Sequence, residues 1–270
     1  MDYSRELTAA LEAADRAGRS LLEHYRRFQV IPDAPANIST AADRESQEIV
    51  LSYIRNQFPG DAFCAEEETP ALVAAAHTGP RLWIVDPIDG TRGFARKNGE
   101  FSVMVAFVQE GRMEAGVVLE PAHRRLTYAA RGLGCWRRDG DGEPVPCRVS
   151  TTAKLAEATL TQSHSRNPAV PSAQVTALGP ARIVETYSAG IKLALVARGE
   201  ADLYLNTYDA FHDWDICAGH ILVEEARGTV SGLAAETLVY GQPGAWQRQG
   251  LLASNGILHD AALAALHSAQ

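Results

Sequence analysis

The sequence predicts an α/β protein whose N-terminal half is α+β in character, and three observations carry that prediction. Two segments of helical periodicity open the chain, and a series of short apolar β-like runs follows them. Beyond about residue 145 strand and helix patterns alternate.

Leu7, Leu11, Ala14, Leu21, Leu22 and Tyr25 recur at helical spacing, so residues 5–28 read as an amphipathic helix closed by Pro32 and Pro35. A second helix is predicted over 41–57, with Ile49, Val50 and Ile54 inward and Pro59-Gly60 ending it. Strands are predicted at 62–65, 82–85, 101–108, 114–119 and 126–130, with Gly111 and Gly132-Leu133-Gly134 at the hairpin turns. The strongest turn or boundary signal is Asp139-Gly140-Asp141-Gly142-Glu143-Pro144. It divides a single compact unit, 1–270, into an N-terminal subdomain of about 1–145 and a C-terminal one of about 146–270. In the latter, strands at 159–162, 201–205 and 251–253 alternate with helices at 189–197, 215–226 and from 258. There is no internal repeat and no low-complexity tract.

The chain has 270 residues, 46% hydrophobic and 21% charged, enough to bury a large core. A net charge of −8 argues against a nucleic-acid polymer as partner. It still permits a small phosphorylated molecule if metal ions supply positive charge. Residues 1–12 are polar, without a signal core, and the apolar run 103–108 is far short of a bilayer span. Cys64, Cys135, Cys147 and Cys217 show no Cys-x-x-Cys pairing and read as reduced thiols. A cytoplasmic protein with no integral membrane segment is expected.

The chemistry concentrates in carboxylates. Leu82-Trp83-Ile84-Val85 is an apolar run, and Asp86 is the first charge after it. Pro87 is expected to end the ladder there, leaving Asp86 at the strand end facing a cleft. Asp89 follows before Gly90 and Thr91. A turn of that length can gather Asp86, the Ile88 carbonyl and Asp89 round one centre, and their hard oxygens suit magnesium or manganese better than zinc. Glu66-Glu67-Glu68 follows another β-like run, and Asp215 opens a predicted helix. Were Glu66, Asp86, Asp89 and Asp215 to converge, each like-charge contact at about 4 Å would cost roughly 1–4 kcal/mol unless protons or cations intervened.

Other readings stay open on residues alone. Asp-Pro-x-Asp-Gly is good turn chemistry, and Glu66-Glu67-Glu68 fits a solvated acidic loop. An EF-hand loop is excluded, because Lys97 stands where its closing Glu belongs. No Gly-x-Ser-x-Gly elbow or P-loop is present.

Four motifs in order then carry a resemblance. Trp83-Ile84-Val85-Asp86-Pro87-Ile88-Asp89-Gly90-Thr91 and Trp214-Asp215-Ile216-Cys217-Ala218-Gly219 resemble the two signatures of the inositol monophosphatase-like, metal-dependent phosphatases. Thr40-Ala41-Ala42-Asp43 and Ala65-Glu66-Glu67 resemble two further segments of that superfamily, with Ala65 standing where Gly is usual. Ala226-Arg227-Gly228 likewise departs from an expected Ala-Gly-Gly. The resemblance implies a layered αβαβα sandwich of the inositol monophosphatase/fructose bisphosphatase type. It implies Glu66, Asp86 and the Ile88 carbonyl on one metal, and Asp86, Asp89 and Asp215 on a second. Two or three Mg2+ per site, with Mn2+ as a substitute, would neutralise phosphate. Thr91 would position water and Asp43 would take the threonine proton, while Gly90 and Thr91 would hold phosphate through backbone N–H groups. Lithium sensitivity and a homodimer also fit the superfamily.

Within it, Lys97-Asn98-Gly99-Glu100-Phe101-Ser102-Val103 and Ser163-His164-Ser165 resemble segments of bacterial 3′(2′),5′-bisphosphate nucleotidases, enzymes of sulfur metabolism. Ser188-Ala189-Gly190-Ile191-Lys192 places a lysine one turn after a helix start suited to phosphate. Tyr208-Asp209-Ala210-Phe211 shows no acidic contact for an inositol hydroxyl at the usual spot. The resemblance therefore implies removal of the 3′-phosphate of 3′-phosphoadenosine 5′-phosphate, with Ser163, His164, Ser188, Ala189, Gly190 and Lys192 at the substrate. Inositol monophosphatase, histidinol-phosphate phosphatase and sugar bisphosphatase are the alternatives, and a non-catalytic metal- or nucleotide-binding protein is the alternative of another class.

Overall fold

The computed structural model describes residues 2–35, 38–165, 167, 170–208 and 210–268. Asp209 lies outside them. Helix α1 (Ser4–Arg27) and helix α2 (Ala41–Gln57) come first, and α2 starts where the Thr40 side chain and Asp43 form a reciprocal capping box. Next come β1 (Ala62–Ala65), the short α3 (Pro70–Val73), β2 (Arg81–Asp89), α4 (Thr91–Arg96), β3 (Ser102–Gln109), β4 (Arg112–Glu120), β5 (Arg125–Ala130), β6 (Gly134–Asp139) and β7 (Val145–Pro146). β1 to β7 form a seven-stranded sheet in chain order, parallel between β1 and β2 and antiparallel elsewhere.

β2 and β3 read as unbroken apolar runs because both faces of this sheet are covered. Trp83, Val85, Val105 and Phe107 pack with α1 and α2, while Leu82, Ile84, Met104 and Ala106 face the opposite core. Burial of each large side chain contributes roughly 1.5–3 kcal/mol.

The chain continues through β8 (Thr159–Gln162), α5 (Ala173–Leu178), β9 (Arg182–Glu185), α6 (Ala189–Ala197), β10 (Leu203–Asn206), β11 (Phe211–His212), α7 (Asp213–Glu225), β12 (Thr229–Ser231), β13 (Trp246–Gln247), β14 (Leu251–Ser254) and α8 (His259–His267). A five-stranded sheet runs β12-β14-β10-β8-β9, and β11 pairs with β13. Helices α6 and α7 lie on the second face of the first sheet, and α6 also touches β8, β10 and β14. On the far side α5 and α8 close a third core around Leu160, Leu203 and Leu252. The layers are thus helix, sheet, helix, sheet, helix, the sandwich that the motif resemblance implies. The pair α6 and α7 approaches closely at Gly219, where a Cβ would lie 2.4 Å from Leu193.

One expectation needs correction, and two features add to the sequence reading. The strand does not end at Asp86: β2 runs past Pro87 to Asp89, with its ladder interrupted between them. The turn at Asp139–Pro144 falls between two strands of one sheet, since β7 adds to β6 beyond it. β6 and β9 were not expected, because β6 ends in Trp136-Arg137-Arg138-Asp139 and β9 has only Ile183 and Val184 between charges.

Candidate active site

The irregularity in β2 shapes the site. Asp86 pairs with Met104 and Asp89 with Ser102, so two residues, Pro87 and Ile88, oppose Val103 alone. Such a bulge takes up the proline, which has no N–H to donate, and re-aims the flanking side chains. Ser46 Oγ on α2 donates to the Pro87 carbonyl at 2.9 Å, and Ile88 N–H donates to Asp86 Oδ1 at 3.1 Å. Gly90 follows with φ of 86°, where a Cβ would meet the Glu100 carbonyl at 2.6 Å, so only glycine fits. Thr91 then opens α4. Its Oγ1 lies 2.9 Å from the Ile88 carbonyl and 3.1 Å from Asp43 Oδ1, either of which can accept its single hydroxyl proton. The other Asp43 oxygen accepts from Thr40 N–H at 2.8 Å and Thr40 Oγ1 at 2.7 Å, which locks its rotamer. The cap of α2 thereby orients the Thr91 hydroxyl.

Asp89 is buried and gripped from the second half of the chain. It accepts from Ala189 N–H at 3.0 Å, Gly190 N–H at 2.7 Å, Ser102 Oγ at 3.1 Å and Ser188 Oγ. A carboxylate at the start of α6 satisfies amides that have no partner within the helix. Ser188, Ala189 and Gly190, expected at the substrate, here turn their polar groups to Asp89. Asp215 sits at the third position of α7 and accepts from His212 N–H at 2.6 Å, again a capping arrangement. Its neighbour Asp213, which the sequence did not single out, holds Gly241 N–H at 2.8 Å and Gln247 Nε2 at 2.7 Å. Those bonds are structural.

Electrostatics tie Glu66, Asp86, Asp89 and Asp215 together. Burial, then the charge of Asp215, pushes Glu66 up to about 8. Asp86 is held well above the usual carboxylate range by burial and then by Glu66 and Asp89. Asp215 rises to about 7, first through burial. Asp89 rises through burial, opposed by its Ser188 bond. Asp43 rises for the same first reason, against the bonds from Thr40. Among the described residues no three Asp, Glu, His or Cys side chains stand ready-placed as an ion cage. The donor set nonetheless fits a hard divalent cation: every candidate ligand is oxygen, Asp86 and Asp89 are buried, Glu66 and Asp215 are open to solvent, and the mutual repulsion of these acids favours a bound cation.

Lys192 does not extend a cation toward solvent. It is 1% exposed, and its Nζ donates to Ser163 Oγ at 3.1 Å, Thr186 O at 2.9 Å and Tyr187 O at 3.3 Å. Burial lowers it to about 8 against the pull of Asp89 and Glu100. With three donors and three acceptors it is committed. His164 is placed between two carboxylates, Nε2 at 2.7 Å from Glu100 and Nδ1 at 3.5 Å from Glu185. Ser163, His164 and Ser165 line a cavity of about 490 Å3 together with Glu185, Asn206 and Tyr208.

Five layers with a carboxylate cluster, a fixed Thr–Asp pair and an adjoining cavity define a class, the metal-dependent phosphatases of layered α/β fold. The chain belongs to the inositol monophosphatase family, whose model matches residues 2–270. Members of the family hydrolyse phosphate monoesters and depend on a metal, generally Mg2+. The chain is similar to the histidinol-phosphatase of Mycobacterium tuberculosis, 31% identical over 97% of this chain and 98% of that protein. It is also 31% identical to the 3′(2′),5′-bisphosphate nucleotidase CysQ of Salmonella typhimurium, over 83% and 85% of the two chains. The solved inositol monophosphatase of Anabaena superposes with a TM-score of 0.80 at 30% identity, covering 99% of this chain and 97% of its own. Among the described residues no helix is long and apolar enough to cross a membrane.

Proposed function

We propose that the chain removes the 3′-phosphate of 3′-phosphoadenosine 5′-phosphate, giving adenosine 5′-phosphate and phosphate. The observation that carries this reading is the cavity of about 490 Å3 lined by Ser163, His164, Glu185 and Tyr208, a size that suits a nucleoside. Ser163-His164-Ser165 lie on its wall, and the exposed Tyr208 ring offers a face for a base. The similarity to the Salmonella nucleotidase supports the same substrate.

Glu66, Asp86, the Ile88 carbonyl, Asp89 and Asp215 would hold Mg2+. When bound, the ions supply positive charge that neutralises the phosphate and assists its departure from the ester oxygen. The chain's own part is positioning and proton transfer. Thr91 Oγ1 receives a proton from the attacking water as its own passes to Asp43 Oδ1, 3.1 Å away. A hydroxyl alone is a weak base, and the bonds from Thr40 leave that one Asp43 oxygen free for the task. Gly90 and Thr91 open α4, and their N–H groups suit a phosphate oxygen.

One observation favours a second reading. Glu100 and Glu185 flank His164, an acidic lining that would accept a cationic leaving group such as that of histidinol phosphate. A phosphate-release panel in magnesium covering 3′-phosphoadenosine 5′-phosphate, histidinol phosphate, inositol 1-phosphate and fructose 1,6-bisphosphate separates the two. The nucleotide should show the highest kcat/KM, and preference for histidinol phosphate would overturn the first reading.

A further inference from the structure

Two arginines follow Thr91 on α4. Arg92 and Arg96 lie four residues apart on α4, with guanidinium carbons 5.1 and 5.9 Å from the centre of the Tyr187 ring. Like charges at that helical spacing destabilise a helix. Among the described residues neither makes an ion pair within 4.0 Å, whereas Arg81, Arg131 and Arg198 each have acidic partners. Arg92 is also held in place: its Nε donates to the Ala34 carbonyl at 3.0 Å, and the guanidinium lies over Tyr187. Both Nη groups are left without a protein acceptor among the described residues. That is the fork geometry that grips a phosphate through two parallel bonds.

The placement gives this fork a target. Tyr187 stands 4.3 Å, centre to centre, from the His164 ring, and His164 lines the cavity. Arg92, Tyr187 and His164 thus form a row leading from Thr91 to the pocket wall. The cation that the sequence pattern offered for a second phosphate, Lys192, is buried and committed. Glu100 and Glu185 make the wall acidic, so a dianion there needs a separate positive group. We propose that Arg92, assisted by Arg96, receives the second, non-scissile phosphate of the substrate and sets the preference for doubly phosphorylated esters. This rests on the phosphatase reading of the site but not on the adenosine moiety.

The test measures kcat and KM for two substrate pairs: 3′-phosphoadenosine 5′-phosphate against 3′-adenosine monophosphate, and fructose 1,6-bisphosphate against fructose 1-phosphate. The wild type should prefer the doubly phosphorylated member of at least one pair. Arg92→Gln should lower that preference roughly 10- to 100-fold, mainly through KM, the loss of charge-assisted bonds to one anion. Arg92→Lys should restore part of it, and Arg96→Gln should have the smaller effect; these two carry the test if Arg92→Gln folds poorly. An equal loss on both members of a pair, or an intact preference in both glutamine variants, overturns the assignment. A nucleotide preference that survives both variants leaves the nucleotidase reading standing. A wild type that favours only the sugar bisphosphate overturns the nucleotidase reading and keeps the arginines, and indifference to the second phosphate in both pairs overturns both.

Discussion

Raising the pH in a chelator should destabilise this protein, and magnesium should reverse the loss. In the folded chain Asp215 titrates at about 7 instead of 3.8, and Glu66 at about 8 instead of 4.5. The folded state therefore binds protons more tightly than the unfolded one. By linkage its stability is highest below about pH 4 in this respect and falls as pH rises toward 7 and 8. For Asp215 alone the displacement is about three pH units, of which about two remain to be lost above pH 5; its side chain is 36% exposed, so solvent screening reduces the contribution over that range to on the order of 1 kcal/mol. A chain of this size loses about 2–4 °C of Tm per kcal/mol, so a fall of a few degrees is expected between about pH 5 and pH 8. Thermal melts across that range, with chelator and with excess magnesium, provide the assay. Calorimetric titration in two buffers of different ionisation heat should show protons released on magnesium binding near neutral pH. A Tm in chelator that stays flat or rises across the window would refute the reasoning.

The Thr91–Asp43 pair predicts a kinetic signature. Thr91→Ala and Asp43→Asn should each lower kcat by roughly 10²- to 10⁴-fold with little change in KM, and the double variant should lose no more than the worse single one. Steady-state rates on one substrate check this. Gly219→Ala would place a Cβ 2.4 Å from Leu193, so it should cost about 1–3 kcal/mol of stability, read as a lower Tm with unchanged KM.

Local rules made much of the fold legible. The bounds of α2 follow from Thr40 and Asp43 at one end and Pro59-Gly60 at the other, all within the segment itself. The carboxylates proposed as ligands stand out in the sequence because each follows an apolar strand or opens a helix. What was not legible depended on distant partners. The amides that grip Asp89 lie about a hundred residues away, so a helix start that looked free for phosphate is filled by a side chain. Lys192 carried a readable warning: residues 189–197 are apolar on all sides, the mark of a helix packed between layers, and a lysine there cannot reach solvent. Arg92 and Arg96 were not singled out in the sequence, because their lack of an acidic partner among the described residues is a fact of tertiary structure.

The most direct test of the carboxylate site is the Asp89→Asn variant. The substitution keeps the size of the side chain and one carbonyl acceptor for the α6 amides, but removes the charge that would hold a cation. Magnesium-dependent phosphate release, measured with 3′-phosphoadenosine 5′-phosphate and with whichever ester the wild type prefers, should fall at least about a thousandfold while the thermal transition remains cooperative. Release at the wild-type rate would contradict the assignment of Asp86 to Thr91 and its partners as the metal-dependent phosphatase site.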